Sequence, residues 1–222
     1  LLAQHGVNFR DLSYEQALEQ AKQENKLLFI DCYTEWCGPC KKMMNEVFPQ
    51  KAAGDFFNPR FVSVKFDMEK GEGKELSKKF DVHAYPTFLI VRTDGTVQHK
   101  LTGSSDLEGF IERVQKGLEE ENTLPYQHQL YAKGEMSKQQ LLAYKECLSE
   151  ANDKEKAAQI YNELLEQLSD SDKMQKEFWG IYEDRSCQIG TPLFNYLLSN
   201  LTSIRENVGV EKVDNYLFPK YQ

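Results

Sequence analysis

Apolar residues gather in short continuous runs through the first half of the chain and recur every three or four positions through the second. That change of period divides the chain in two. Ser13 and Gln16 have the spacing of a helix-capping pair, and Ala17, Leu18 and Ala21 form an apolar stripe behind them that ends at Asn25. Leu27–Tyr33 reads as a buried strand, and Lys41–Phe48 has helical spacing of its apolar positions. Lys51–Arg60 reads as a loop anchored in the core by Phe56 and Phe57, followed by a strand over Phe61–Phe66. Gly71 and Gly73 turn the chain into a short helix over Lys74–Phe80. Strands over Thr87–Arg92 and Val97–Leu101 flank Thr93-Asp94-Gly95-Thr96, whose Asp-Gly pair is a strong hairpin signal, and a helix from Asp106 to Leu118 closes this half. Strand–helix–strand units followed by a hairpin and a helix predict an α/β fold, a mixed sheet with helices on both faces.

The period stops in the polar stretch 119–125, which reads as a linker between a domain over residues 8–118 and an all-α domain over residues 126–222. Ser137 opens a helix carrying Leu141, Leu142, Tyr144, Cys147 and Leu148, and Asp153 opens another with Ala157, Ile160, Tyr161, Leu164, Leu165 and Leu168. A third is expected near Lys173–Tyr182, and Thr191-Pro192 starts a fourth that runs past Leu201 with Gly209 as its stop. This pattern predicts helical hairpins. The Tyr161–Leu168 stretch resembles tetratricopeptide-type repeats, although the spacings between helix starts vary and that family's signature residues are missing. Phe178, Trp179, Tyr182, Phe194 and Tyr196 read most simply as core, with a surface that recruits a partner as the alternative. Asn200-Leu201-Thr202 has glycosylation spacing but falls inside an expected helix.

With 222 residues and 40% apolar content, the chain can build two modest cores. A net charge of −8 and the lack of any basic cluster interleaved with aromatics argue against nucleic acid as a partner. Lys41-Lys42 and Lys78-Lys79 read as solvated helix faces. No apolar run reaches the length that spans a bilayer.

The chemistry concentrates in Glu35-Trp36-Cys37-Gly38-Pro39-Cys40, at the junction between the first strand and the helix after it. Two thiols two residues apart meet on the first helical turn, where free N–H groups and the helix dipole stabilise a thiolate. Cys37 is expected to be the exposed attacking thiol and Cys40, one turn inside, the resolving one. Pro39 suits an early helical position, where its missing N–H is not needed. Asp31, in an apolar strand, is expected to have its pKa raised by desolvation, which suits it to proton transfer near neutral pH; the competing reading is a strand-end carboxylate that caps the turn. Pro86 precedes the strand-like run Thr87–Val91 and cannot extend a ladder through its own nitrogen. A structural zinc site would need four ligands, whereas Cys32, His83, Cys147 and Cys187 stand singly. A purely structural disulfide is the other competing reading of the pair.

These residues, in this order, resemble the thioredoxin family. The resemblance runs from about Leu27 to Leu118, half of the chain, and rests on Asp31, the Cys37–Cys40 motif, Lys65, Ala84-Tyr85-Pro86-Thr87 and Gly103 together. It implies a thioredoxin fold, a buried Asp31 that relays protons to Cys40, an accompanying Lys65 and a cis bond at Tyr85–Pro86 beside the active site. Trp36, Gly38, Pro39 and Tyr85 are then the expected substrate contacts, and the chemistry uses the redox-active disulfide itself, with no metal and no added cofactor. The expected activity is thiol–disulfide exchange, most simply reduction of protein or peptide disulfides, since glycine-proline between the cysteines resembles the reducing members of the family. An isomerase or oxidase is the first alternative, and a non-catalytic partner-binding module on a thioredoxin scaffold is the second.

The two-part arrangement resembles exported thioredoxin-like disulfide reductases of Bacteroides-type bacteria with a helical C-terminal domain. Leu1-Leu2-Ala3-Gln4 reads as the tail of a signal peptide, which implies a periplasmic or otherwise exported protein recharged by a thiol electron donor, for which a membrane-bound one is a candidate; a cytoplasmic location is the alternative. Cys32 is expected to be a small core residue, and Cys147 and Cys187 are candidates for a second disulfide.

Overall fold

A computed structural model describes residues 5–221; Leu1-Leu2-Ala3-Gln4, and with it the signal-peptide reading, lies outside the described residues. Helix α1 (Tyr14–Gln23) starts as its capping pair requires, with Ser13 Oγ accepting the Gln16 N–H at 3.2 Å and Gln16 Oε1 accepting the Ser13 N–H at 3.0 Å. Strand β1 (Leu27–Tyr33) lies inside a four-stranded sheet of order β2-β1-β3-β4. It runs parallel to β2 (Phe61–Asp67) and antiparallel to β3 (Thr87–Val91), which pairs in turn with β4 (Val97–Thr102). A parallel pair needs a crossover. Helix α2 (Gly38–Lys42), a π turn over Met43–Val47 and helix α3 (Lys51–Arg60) supply it.

The two-residue period of the strands sorts the core onto two faces. Leu28, Ile30, Val62, Val64 and Leu89 face α1 and α4 (Gly73–Lys79), where Ala17, Ala21 and Leu76 meet them. On the other face Phe29, Phe61, Phe88 and Ile90 meet Met43, Val47 and Phe57, together with Phe110 and Val114 of α5 (Leu107–Lys116). Burying each such side chain stabilises the fold by about 1.5–3 kcal/mol. Cys32 is buried in the first of these clusters, as the sequence indicates.

Lys51–Arg60, expected as a loop, is helical. Its Gly54 and Pro59 disfavour a helix locally, yet Phe56 and Phe57 are buried on one side and tertiary packing decides. Gly54 is there for a close approach, since a Cβ would stand 2.6 Å from the carbonyl oxygen of Gly6. Pro59 sits in the last turn, where it costs one backbone hydrogen bond but leaves no further turn to be broken after it.

Residues group into two compact units, Leu1–Gln129 with Cys147–Asp153, and Leu130–Glu146 with Lys154–Gln222. In the first, the polar stretch 119–125 holds a 3₁₀ turn over Glu120–Asn122 and the start of α6 (Leu124–Ala132), and the last turn of α7 (Lys138–Glu150) belongs to the same unit. Cys147 is buried there with its thiol 3.6 Å from the Asn122 carbonyl oxygen. Cys147 and Cys187 are both free, which corrects the suggested second disulfide. Each thiol is instead enclosed by its own surroundings, and burial pushes that of Cys147 up to about 12.

The second unit is helical. α8 (Lys154–Gln167) follows the expected period, but the third helix is replaced by a short α9 (Asp170–Lys173) and a 3₁₀ segment over Lys176–Ile181. There Phe178, Trp179 and Ile181 are all buried, which a straight helix would not achieve at adjacent positions. The long fourth helix breaks at Asn200 into α10 (Pro192–Ser199) and α11 (Leu201–Val208), and α12 (Val210–Leu217) follows Gly209, whose φ of 110° makes the corner. The aromatic residues are core: Trp179 packs on Tyr182 and Tyr216, and the Tyr161 hydroxyl donates to the Ile181 carbonyl at 2.7 Å. Tyr196 lies at its edge, its hydroxyl donating to the Asp170 carbonyl at 2.7 Å.

One polar residue is packed into the first unit without a partner for its ring nitrogen. His99 on β4 is buried, its Nδ1 makes no hydrogen bond among the described residues, and burial lowers its pKa to about 4. The ring fills the space over Gly117 at the end of α5, where a Cβ would lie 2.3 Å from two ring atoms. Gly117→Ala should therefore overpack this contact and cost about 1–3 kcal/mol, read as a lower urea midpoint at unchanged m. An unchanged midpoint would show that the ring moves aside freely.

Candidate active site

The topology brings the chemistry-bearing ends of the strands to one edge of the sheet. β1 leads at its C-terminal end into the cysteine motif, and β2 leads at its own into Met68-Glu69-Lys70. Because β3 and β4 run antiparallel, with Cys32 opposite Thr87 and Thr87 opposite Thr102, Pro86 and Gly103 arrive at the same edge. Functional groups commonly gather at the carboxyl ends of such strands.

The Thr34 carbonyl accepts the Cys37 N–H at 3.2 Å, closing the turn that enters α2. Cys37 caps that helix in extended conformation, and its Sγ accepts the Cys40 N–H at 3.1 Å. A thiolate at Cys37 would meet the same donor, the interaction that makes it a better nucleophile. Cys37 and Cys40 are joined by a disulfide with Sγ–Sγ of 2.06 Å. Contrary to the expectation of an exposed attacking thiol, Cys37 is only 3% exposed, against 2% for Cys40. Its sulfur turns inward to Cys40, while Glu35, Trp36, Gly38 and Pro39 are the exposed residues around it.

Asp31 lies on β1 on the same face as Phe29, the face covered by Met43 and Val47 after α2. It is 1% exposed, and neither carboxylate oxygen has a hydrogen-bond partner among the described residues. Burial raises its pKa from 3.8 to about 7, against a smaller opposing pull from Lys65. It therefore caps nothing, which removes the competing reading. Lys65 is its neighbour in register on β2, exposed, with its ammonium 5.9 Å from the ring centre of Phe9.

The Tyr85–Pro86 bond is cis, and the Pro86 carbonyl accepts the Gly103 N–H at 2.8 Å. Gly103 has φ of 90°, a conformation that favours glycine, and the space where a Cβ would stand is open. Trp36 is 66% exposed and meets Tyr85 edge-on at 5.9 Å. The indole N–H points between both oxygens of Glu69 at 3.0 Å, the Glu69 N–H donates to Asp67 at 3.0 Å, and Lys70 pairs with Glu35. Sequence reasoning missed Glu69; its place just past the C-terminal end of a strand parallel to β1 is the signal that could have found it. A groove of about 650 Å³ lined by Ala52, Leu107, Glu108, Ile111 and Glu112 contains none of these groups. The site is thus an exposed aromatic and glycine rim around a sheltered disulfide, with a buried carboxyl behind it.

The Thioredoxin family model matches residues 7–116. Thioredoxin-1 of Drosophila melanogaster is 34% identical over 96 residues, covering 40% of this chain and 83% of that protein. The protein disulfide-isomerase of Datisca glomerata is 27% identical over 93 residues, 42% of this chain, and this chain spans only 18% of that protein's length. Among solved structures, a disulphide-isomerase candidate from Bacteroides thetaiotaomicron is 49% identical, with 52% of this chain and 95% of that one covered and a TM-score of 0.48.

The burial of Asp31 has a signed consequence. Its folded pKa lies above its unfolded value, so between about pH 4 and pH 7 this carboxyl holds in the folded state the proton that it has released in the unfolded one, and its own contribution to stability falls as pH rises through that window. Asp31→Asn removes this dependence. Its stabilising effect on the oxidised protein should be larger at pH 8 than at pH 4 by up to about 4 kcal/mol, measured by urea unfolding of both proteins at both pH values. Equal effects at the two pH values would show that Asp31 titrates normally.

Proposed function

The chain belongs to the thioredoxin family of thiol–disulfide oxidoreductases, and on that premise we propose that it reduces disulfides in protein or peptide clients. The observation that carries the reading is the Cys37–Cys40 disulfide at the start of α2 combined with an unpartnered carboxyl whose pKa is about 7. In the reduced protein the Cys37 thiolate attacks one sulfur of a client disulfide, forming a mixed disulfide and releasing the other client sulfur as a thiolate. Cys40 gives its proton to Asp31 and attacks the Cys37 sulfur, which releases the second client sulfur. The client gains two electrons from the cysteine pair and two protons, one returned by Asp31 and one taken from water, and the protein is left with the Cys37–Cys40 disulfide. Pro86, Trp36, Gly38, Pro39 and Tyr85 line the approach, and Lys65 moderates the charge on Asp31.

A dithiol donor must then return two electrons. Export to an oxidising compartment such as the periplasm is the finer part of this proposal. Support comes from the other three cysteines, which are all buried and so kept from oxidation, at 0% exposure for Cys32, 7% for Cys147 and 1% for Cys187. No helix among the described residues is long and apolar enough to cross a membrane.

The decisive measurement is the reduction potential of the Cys37–Cys40 couple against glutathione, with Cys32, Cys147 and Cys187 replaced by Ala. We expect a value near thioredoxin's, about −270 mV, whereas a value of about −180 to −120 mV would reassign the protein to isomerase or oxidase chemistry.

A further inference from the structure

Arg113, on α5, ties the rim of the redox site to a residue far along the chain. Its Nη2 donates to the Thr102 carbonyl at 2.8 Å and its Nη1 to the Gly103 carbonyl at 3.2 Å. The remaining edge of the guanidinium meets Glu150, with Nε at 3.0 and 3.1 Å from the two carboxylate oxygens and Nη2 at 2.6 Å from one of them. Glu150 is the last residue of α7 and belongs to the segment grouped with the first unit. Both side chains are half-buried, at 20% and 35% exposure. A planar guanidinium that spends two donors on backbone and two on a carboxylate has little freedom to rotate.

The connection continues toward the disulfide. Gly103, whose carbonyl Arg113 holds, gives its N–H to the carbonyl of Pro86. Pro86 follows Tyr85, and Tyr85 packs on Trp36, the residue before Cys37. Open space lies over the Gly103 Cα, so the backbone fixed by Arg113 is accessible to an approaching chain.

We propose that Arg113 and Glu150 are positioning residues: they clamp the Thr102–Gly103 backbone as one wall of the client-binding rim, which makes the end of α7 a working part of the redox site. This rests on the reductase reading for its function and on the hydrogen-bond chain for its geometry. The hydrogen bonds of Arg113 go to Thr102, Gly103 and Glu150 and to neither cysteine. Loosening the clamp should weaken capture of a large client while leaving exchange with a small one intact.

The test compares the full chain with Glu150→Ala and with Glu150→Gln, which keeps the side-chain shape should the first fail to fold. For Glu150→Ala, KM for insulin disulfide reduction should rise about fivefold with kcat within a factor of two, the pattern of lost client binding. The rate with dithiobisnitrobenzoate and the Cys37–Cys40 potential should not move. The Gly103 amide, followed by NMR, should exchange with solvent about tenfold faster, and Glu150→Gln should fall between the two. Arg113→Ala combined with Glu150→Ala should add little to Arg113→Ala alone, since the two act through one contact. Unchanged Gly103 exchange in a folded variant, or an unchanged KM for insulin, overturns the clamp and leaves the reductase reading standing. Failure of the unsubstituted protein to reduce insulin overturns the reductase reading, and with it the clamp's role in client capture; Gly103 exchange then decides the hydrogen-bond chain alone.

Discussion

The ring of Phe29 sets the distance between the sheet and the helices that carry the redox centre. Six other phenylalanine rings, those of Phe9, Phe48, Phe57, Phe61, Phe88 and Phe110, lie with centroids 4.8 to 6.4 Å from it. They come from the N-terminal segment, the turn after α2, α3, β2, β3 and α5, so a single buried side chain gathers almost every element that touches that face. Close packing of this kind transmits displacement rather than absorbing it. α2 is a continuation of the same layer through Met43 and Val47, and its height over β1 is fixed accordingly.

Asp31 inherits its environment from this arrangement. Two residues beyond Phe29 on the same face, it is enclosed by a layer built for rings and offered no donor. The same close packing that stabilises the sheet thus raises the carboxyl's pKa into the range where proton transfer to and from a thiol is useful. A hydrogen-bond donor at that place would make the protein more stable and Asp31 a weaker base, since a carboxylate that accepts such bonds ionises more readily. Activity and stability pull this position in opposite directions, as is common at functional sites.

Much of this was legible in the sequence because it is local. The capping pair of Ser13 and Gln16, the Asp94-Gly95 hairpin, the Cys37–Cys40 spacing at a strand-to-helix junction and the burial of Asp31 all follow from residues close together in the chain. The failures have the opposite character. Lys51–Arg60 is a helix because distant residues cover Phe56 and Phe57, and the break at Asn200 and the 3₁₀ turns around Trp179 come from packing among helices. Glu69 and Glu150 are ordinary surface acids by composition, and only the fold puts one against an indole and the other against a guanidinium. The exposure expected of Cys37 failed for a subtler reason: its neighbours are exposed as the motif suggests, but the sulfur itself points back into the turn.

His99 and Asp31 carry their protons in reverse order. In water an imidazole holds its proton at a pH where a carboxyl has lost its own; burial inverts this, lowering His99 from 6.5 to about 4 and raising Asp31 from 3.8 to about 7. Between about pH 4 and 6.5 the folded protein keeps both groups neutral, with one proton on the carboxyl, while the unfolded chain holds one proton on the imidazole and carries both charges. Unfolding in that range therefore moves a proton from one residue to the other and exchanges none with the solvent. Their opposing slopes cancel, so across that range these two buried groups together add no pH dependence to folding, and the acid sensitivity that remains belongs to paired carboxylates such as Glu24 and Asp172.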